Sequence, residues 1–248
     1  RTEDSEVISQ YIQASQKYLD IIEQILGHKD VYFWGAGEPG PDRVKRQLPG
    51  WKALQEMGIK IVSEGKPSWH FSLAGYAEDM INFGGFYFDR KYTAPWHVLG
   101  HQVVNYAAPH TGPENPDLIR RTHGMMLYKT CFDGTFNYTW HDKHGNWLDF
   151  WDPYGYRIKM VYPTQTSVID TIEWEGFREG IDDIRYATKL KMLAEEAMKS
   201  RDIETVYAGK KALVWLELLD EKTADLNAMR MEMINYILNF IERLPAID

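Results

Sequence analysis

Short apolar runs alternate with amphipathic stretches along the first two thirds of the chain. Apolar side chains recur at helical spacing in several stretches, which predicts helices over residues 4–27, 42–57 and 116–129, with a weaker one near 76–81. Between them, brief apolar runs are bounded by glycine or polar residues, which predicts strands over residues 31–34, 59–62, 85–88, 102–106 and 135–140. The Pro49-Gly50 pair could divide the second helix.

This alternation is typical of βα units arranged around a parallel sheet. Its spacing fits a TIM-type barrel or an open doubly wound sheet. No G-x-G-x-x-G follows a strand, which argues against a dinucleotide-binding fold. The fold class we predict is therefore α/β, a (β/α) TIM-type barrel or, with about five parallel strands, a partial barrel.

From residue 168 onward the pattern is almost wholly helical. It predicts one helix over residues 175–200 and one or two more within 203–243. We therefore expect a partial barrel over residues 1–167 and a C-terminal helical region over residues 168–248 that packs on it. The closely spaced Met229, Met231 and Met233 fit either the core of this region or an adaptable surface for a partner protein.

Composition and charge argue against several classes of function. The chain has 28 Lys and Arg against 36 Asp and Glu, a formal net charge of −8, which disfavours a nucleic-acid partner. No apolar run approaches the roughly 18 residues of a membrane span, so we expect no membrane partner. Cys131 is the one cysteine, which excludes an internal disulfide framework. The sequence begins with Arg1 and shows no signal-peptide pattern, so we interpret it as a processed or truncated product whose location is unknown.

The sequence carries no recognisable cofactor or metal motif. His97 and His101 are four residues apart, and His141 and His144 are three apart, but neither pair belongs to a His-Glu-x-x-His motif or has a cysteine pair beside it. A P-loop and a G-x-S-x-G nucleophile motif are also missing. We therefore expect no cofactor and no metal site.

Three segments resemble one group of glycoside hydrolases. Residues 172–190 read Ile-Glu-Trp-Glu-Gly-Phe-Arg-Glu-Gly-Ile-Asp-Asp-Ile-Arg-Tyr-Ala-Thr-Lys-Leu. They are similar to a C-terminal signature of TIM-barrel enzymes like the bacterial β-N-acetylgalactosaminidases and of relatives that share a C-terminal domain of unknown function. Residues 34–39, Trp-Gly-Ala-Gly-Glu-Pro, resemble the Asp-Glu-Pro segment that ends the fourth barrel strand. Residues 124–140 resemble the helix and Trp-ending strand that finish the barrel, so the likeness covers about residues 31–192.

The resemblance implies that the five strands correspond to the fourth to the eighth strands of a barrel. The chain would then be the C-terminal portion of a longer protein whose N-terminal barrel segment is missing, or a partial barrel completed by a second chain. An open parallel sheet exposes edge groups and an apolar face, which need cover. Eight strands, or a five-stranded fold without an exposed apolar face, would contradict this interpretation.

The resemblance also implies hydrolysis of a glycosidic bond, which usually requires two carboxyl groups. Glu38 matches the general acid of the family, although it could instead cap the following helix. The family has an Asp before this Glu, which orients and stabilises the 2-acetamido group of the substrate, but here the position is Gly37. Either the substrate lacks that group, or another carboxylate takes the place of the Asp, or catalysis is lost. Asp89 and Glu64 each follow a predicted strand, and either could be the second carboxylate; Asp89 could instead pair with a neighbouring cation.

Polar and aromatic side chains near the strand ends are candidates for binding a carbohydrate, because sugar rings stack on aromatic faces and bond to polar groups. These candidates are Trp34, Trp69, His70, Asn105, Tyr106, Tyr138 and Trp140. Burial in the core is the alternative for the aromatic residues. The charged residues of 172–190 are spaced for bridging along a helix, so we interpret them as a structural network.

Together these features predict a glycosidase, or the C-terminal part of one, acting on an unidentified oligo- or polysaccharide. The alternative is a non-catalytic carbohydrate-binding or assembly protein on a degenerate barrel.

Overall fold

The computed structural model of the chain describes residues 5–106, 115–136, 140 and 160–244. The chain divides into two compact units: Arg1–Ala107 with Thr130–Phe136, and Ala108–Lys129 with Asn137–Asp248. The predicted domain boundary between residues 167 and 168 stays a prediction.

The first unit is built from alternating helices and parallel strands. In chain order they are α1 (Ser5–Leu26), β1 (Tyr32–Trp34), α2 (Pro41–Glu56), β2 (Lys60–Gly65), α3 (His70–Ala74), β3 (Met80–Gly84), α4 (Arg90–Val98), β4 (Gln102–Tyr106) and, after the segment assigned to the second unit, β5 (Gly134–Thr135). All five strands are parallel and lie in the order β1-β2-β3-β4-β5. The α/β fold class, a partial TIM-like barrel with a C-terminal helical part, is confirmed.

The sequence prediction of the third strand was wrong. Residues 76–81 do not form a helix and residues 85–88 are not a strand; the strand is Met80–Gly84 and a short helix precedes it. Asn82 interrupts the apolar pattern of this strand, and Gly85, at φ 106°, ends it. The aromatic run after Gly85 packs in a loop, where the rings of Phe86 and Phe88 lie 6.2 Å apart.

The two faces of the sheet differ in their surroundings. One face packs against α2, α3 and α4 through buried residues that include Ile61, Ile81 and Val103. Because side chains alternate along a strand, Val62, Glu64, Asn82, Val104 and Tyr106 lie on the other face.

Several large apolar residues of the first unit are exposed. Trp34 and Phe136 are each 51% exposed, and α1 exposes Tyr18, Ile21, Ile25 and Leu26. Within the described part of the chain, β1 pairs only with β2. The five-stranded sheet therefore has an open edge and an exposed apolar surface, as the partial-barrel interpretation requires.

The second unit is mainly helical. It contains α5 (Pro116–Thr122), α6 (Met125–Lys129), an antiparallel pair β6 (Val161–Pro163) and β7 (Val168–Asp170), α7 (Ile172–Ala197), α8 (Ile203–Leu218) and α9 (Leu226–Arg243). The helix predicted over residues 116–129 is thus divided in two. Met229 and Met233 lie in the buried core of this unit, whereas Met231 is exposed. Among the described residues, no helix has both the length and the apolarity that crossing a bilayer requires.

The segment that carries the family likeness has a structural role in this unit. Asp183 on α7 is fully buried and accepts from Arg120 Nε of α5 at 2.7 Å and from Arg230 Nε of α9 at 2.6 Å. Glu179 also pairs with Arg230. A Cβ at Gly180 would lie 2.7 Å from the carbonyl oxygen of Arg120, so α5 and α7 approach closely. The charges therefore tie three helices together.

Candidate functional site

A cleft of about 170 Å³ lies at the carboxyl ends of the first four strands. Its lining consists of Glu38, Pro39, Gly65, Lys66, Gly84 and Tyr106. Loops after parallel strands meet at this edge of a sheet, and catalytic groups collect there in barrels. The cleft is smaller than the roughly 300–1,000 Å³ of pockets that enclose drug-sized ligands, so it fits only a small part of a larger molecule.

Glu38 has an unusual backbone conformation. Its φ is +40°, in the left-handed region that residues with a side chain rarely adopt. Two contacts hold it there: its N–H donates to Glu64 Oε2 at 2.8 Å, and the hydroxyl of Tyr106 donates to its Oε1. Conformations of this kind are often found at functional sites, where the surrounding structure imposes them. Glu38 is exposed, so its carboxyl group is accessible from the cleft.

Tyr106 reaches Glu38 because Gly84 leaves room for its ring. The two residues are register partners at the ends of β3 and β4, and a Cβ on Gly84 would lie 2.8 Å from the Tyr106 ring. Burial, the bond to Glu38 and the charge of Glu64 raise the pKa of Tyr106 well above its usual range. The hydroxyl therefore stays protonated and acts as a hydrogen-bond donor.

Glu64 is the carboxyl group that the structure brings into contact with Glu38. Burial raises the pKa of Glu64, and the nearby charge of Glu38 raises it further, while hydrogen bonds from the Glu38 N–H and from Tyr106 oppose this shift. The site thus holds two carboxyl groups in different surroundings, one exposed and one partly buried. Differences of this kind allow neighbouring carboxyl groups to take different roles in acid/base chemistry.

Asp89, the other candidate for the second carboxylate, lies at the N-cap of α4. It accepts from the Lys91 N–H at 2.9 Å and pairs with Lys91 Nζ at 3.0 Å. The sequence placed Asp89 at a strand end because the third strand was assigned too late in the chain. Glu38 does not cap the helix that follows it, since Gly40 holds the N-cap position of α2.

Two polar candidates for sugar binding are fully buried on the helix-facing side of the sheet. The His70 Nε2 lies 2.9 Å from Glu78 Oε1 and 3.3 Å from Ser63 Oγ. Asn105 Nδ2 donates to the Gly85 carbonyl oxygen at 2.9 Å. These hydrogen bonds are made to the protein interior and the backbone rather than to the cleft.

The aromatic candidates lie in different places. Trp34 is half exposed at the end of β1, with its Nε1 3.9 Å from where a Cβ of Gly37 would lie. Trp69 is partly buried, 4.9 Å from the His70 ring. Trp140 belongs to the second unit, where it meets Trp174 edge-to-face at 5.1 Å. Tyr138 lies outside the described residues.

Sequence reasoning missed Lys66, which lines the cleft, and the two buried residues Ser63 and Glu78 that contact His70. Lys66 lines the cleft and forms no ion pair with the described part of the chain. Ser63 and Glu78 are fully buried. A polar Ser-Glu pair ending the apolar run Ile59–Val62 was a usable signal for Ser63, whereas nothing in the pattern marks Glu78. Over the residues that the structure describes, no three His, Cys, Asp or Glu side chains are grouped to hold a metal ion.

Comparison with known proteins shows a likeness of fold. No protein-family model matches the chain, and no curated protein matches its sequence. Among solved structures, the chain is similar to a family 123 glycoside hydrolase from Clostridium perfringens, studied for the hydrolysis of glycolipid glycans. The TM-score is 0.67 at 14% sequence identity, and the match covers 97% of this chain and 46% of that one. The chain therefore has a glycoside hydrolase-like fold and spans less than half the length of that enzyme.

Proposed function

We propose that the chain is a glycoside hydrolase, or the C-terminal part of one, that cleaves an oligo- or polysaccharide by carboxylate acid/base catalysis. One observation carries the proposal: Glu38 is exposed in a cleft at the carboxyl ends of the strands, in a left-handed conformation held by Glu64 and Tyr106. The fold likeness to a glycoside hydrolase supports it.

In this proposal Glu38 is the general acid. It protonates the glycosidic oxygen as the bond to the anomeric carbon breaks and so becomes a carboxylate. This carboxylate then takes a proton from the attacking water molecule, which restores the carboxylic acid. Tyr106 orients the Glu38 carboxyl group through its hydrogen bond. The half-exposed ring of Trp34 offers a face for a sugar.

Glu64 is the second carboxyl group of the proposed mechanism. Glu64 Oε2 accepts from the Glu38 N–H at 2.8 Å, so the two glutamates lie close together. This favours the spacing of about 5 Å found in retaining enzymes over the roughly 6.5–9.5 Å of inverting ones.

Glu64 also suits the place of the carboxylate that the family carries before its acid. A Cβ on Gly37 would lie 3.4 Å from Glu64 Oε2, so a carboxyl group at position 37 would occupy the same region. We infer that the Glu64 side chain, which comes from the neighbouring strand β2, takes the place of the aspartate that is missing at position 37. The substrate can then carry a 2-acetamido group.

A turnover assay tests the proposal. The chain, Glu38→Gln and Glu64→Gln are compared on aryl glycosides that include the N-acetylgalactosaminide and simple hexosides, and on a glycolipid glycan. We expect cleavage of at least one glycoside, and a loss of roughly 10²–10⁴-fold in Glu38→Gln. The matched control is Glu56→Gln, which changes an exposed glutamate of α2 and should keep the parent rate. Equal rates in Glu38→Gln and the parent would refute the role of Glu38.

An exchange of carboxylates tests the role of Glu64. If Glu64 replaces the missing carboxylate, Gly37→Asp combined with Glu64→Gln should recover part of the activity that Glu64→Gln alone loses. No recovery in a folded double variant would contradict the replacement.

A non-catalytic carbohydrate-binding protein is the second candidate, and the glycine at position 37 favours it. This candidate predicts that glycans quench tryptophan fluorescence without turnover, and that Glu38→Gln leaves the affinity nearly unchanged. Quenching by none of a broad panel of glycans would count against both candidates.

We also propose that further strands cover β1, supplied by a longer form of this chain or by a second chain. The exposed apolar residues of α1, and Trp34 at the open sheet edge, support this. Light scattering of the isolated chain should show self-association, and a monodisperse monomer that excludes a hydrophobic dye would contradict it.

A further inference from the structure

A polar cluster without exposure to solvent lies behind the strand that carries Glu64. It consists of Ser63 on β2, His70 at the start of α3 and Glu78 just before β3, and all three are 0% exposed. The His70 Nε2 lies 2.9 and 3.0 Å from the two Glu78 oxygens, and the Ser63 hydroxyl donates to Glu78 Oε1. A buried carboxyl group is costly unless it is hydrogen-bonded. Here Ser63 and His70 provide the hydrogen bonds to Glu78.

The cluster holds the strand on both sides of Glu64, because Ser63 belongs to it and Gly65 packs against its His70. Side chains alternate along a strand, so Ser63 and position 65 point away from Glu64, toward His70 and Glu78. Ser63 is held by its hydrogen bond to Glu78. Gly65 is held by packing, because a Cβ there would lie 2.4 Å from His70 Nδ1.

We propose that the cluster of Ser63, His70 and Glu78 is a positioning device that fixes the end of β2, so that Glu64 meets the Glu38 N–H and Tyr106. Among the described residues the cluster makes no hydrogen bond to Glu38, so it acts on the cleft through the strand end that carries Glu64. The proposal rests on the proposed function only in assigning this geometry a catalytic purpose.

The surroundings of His70 indicate which of its ring nitrogens carries the proton. His70 Nδ1 is buried and has no hydrogen-bond partner in the described part of the chain. An Nδ1–H would therefore be left unsatisfied, which favours the neutral tautomer with its proton on Nε2, donating to Glu78. The groups facing Glu78 are His70, Ser63 and, at longer range, His101.

The Glu38 amide is a direct reporter of the position of Glu64. Its N–H donates to Glu64 Oε2 at 2.8 Å, so its proton and nitrogen chemical shifts follow both the contact and the titration of that carboxyl group. The charged or titratable groups facing Glu64 are Glu38 and Tyr106. Glu64→Gln identifies which part of the amide titration belongs to Glu64.

The test is an NMR titration of the Glu38 amide in the full chain carrying Ser63→Ala. We expect the amide signal to move toward the value of a free amide. We also expect the titration midpoint to fall, because a looser strand end exposes Glu64 and removes the burial that raises its pKa. Ser72→Ala is the matched control: Ser72 is an exposed serine of α3 whose hydroxyl donates to the Trp69 carbonyl, and its loss should leave the Glu38 amide unchanged.

A merely structural cluster gives a different result. Ser63→Ala would then lower the melting temperature while the shift and the titration of the Glu38 amide stayed as in the parent, which overturns the proposal. Gly65→Ala, where folded, should displace the His70 ring and perturb the same amide; an unperturbed amide would again count against it.

Activity separates this proposal from the proposed function. If the chain cleaves glycosides, Ser63→Ala should lower turnover roughly 10–100-fold, in line with small misplacements of catalytic groups. If the chain cleaves none, the amide test still decides whether the cluster positions Glu64.

Discussion

The strained backbone of Glu38 predicts that glycine is more stable than alanine at this position. We compare the variants Glu38→Gly and Glu38→Ala. Both remove the carboxyl group and its hydrogen bond to Tyr106. They differ in the Cβ, and at φ +40° a Cβ costs about 1–2 kcal/mol. Glycine costs about 0.5–1 kcal/mol through the freedom of the unfolded chain. With the middle of each range, the balance favours glycine by about 0.75 kcal/mol.

The assay is thermal or urea unfolding of the two variants under identical conditions. For a chain of this length about 1 kcal/mol corresponds to roughly 2–4 °C in melting temperature, so the difference is measurable. Ser68→Gly and Ser68→Ala form the control pair, because Ser68 is an exposed loop residue of the same unit without a positive φ. There alanine should be the more stable. If Glu38→Ala were also more stable than Glu38→Gly, the backbone at position 38 would not be strained. The structural argument for a functional Glu38 would then fail as well.

Three further predictions concern stability, pH and assembly. Asp183→Asn should destabilise the second unit by about 3–5 kcal/mol in urea unfolding, because Arg120 and Arg230 would lose their buried anion; a loss below 1 kcal/mol would contradict the structural role of this ion pair. The raised pKa of Glu64 means that the folded state holds its proton to higher pH than the unfolded chain, so this contribution to stability is present below the ordinary pKa and is lost as the pH rises through the folded pKa. Glu64→Gln should therefore reduce the fall in unfolding free energy between pH 4 and pH 8, and an unchanged fall would exclude Glu64 as its source. Ile21→Glu with Ile25→Glu should reduce self-association in light scattering, since both side chains are exposed on α1; unchanged association would place the contact elsewhere.

The sequence predicted the alternation of helices and strands well where the apolar pattern was uninterrupted. Helix α1 and strand β4 were found within about a residue of their observed bounds. The strand Met80–Gly84 was missed because Asn82 breaks its apolar run, while the aromatic residues after Gly85 imitate a strand. One misplaced strand was enough to turn a helix cap, Asp89, into a candidate for catalysis.

The site could be predicted only in part, because its geometry depends on contacts between residues far apart in the sequence. Glu38, Glu64 and Tyr106 were all candidates, but their hydrogen bonds depend on the register of β1 to β4 and on the space above Gly84. His70 was a candidate for the cleft, and yet it packs behind β2 because Glu78, forward along the chain, provides its partner. No local pattern indicates such a pairing.

The most direct test of the proposed role of Glu38 is the hydrolysis of aryl glycosides by the chain and by Glu38→Gln, measured side by side with Glu56→Gln. If Glu38 is the general acid, the parent and Glu56→Gln should cleave the same glycoside at the same rate, while Glu38→Gln loses roughly 10²–10⁴-fold. Cleavage by Glu38→Gln at the parent rate would contradict it, and so would glycan binding without cleavage by any of the three.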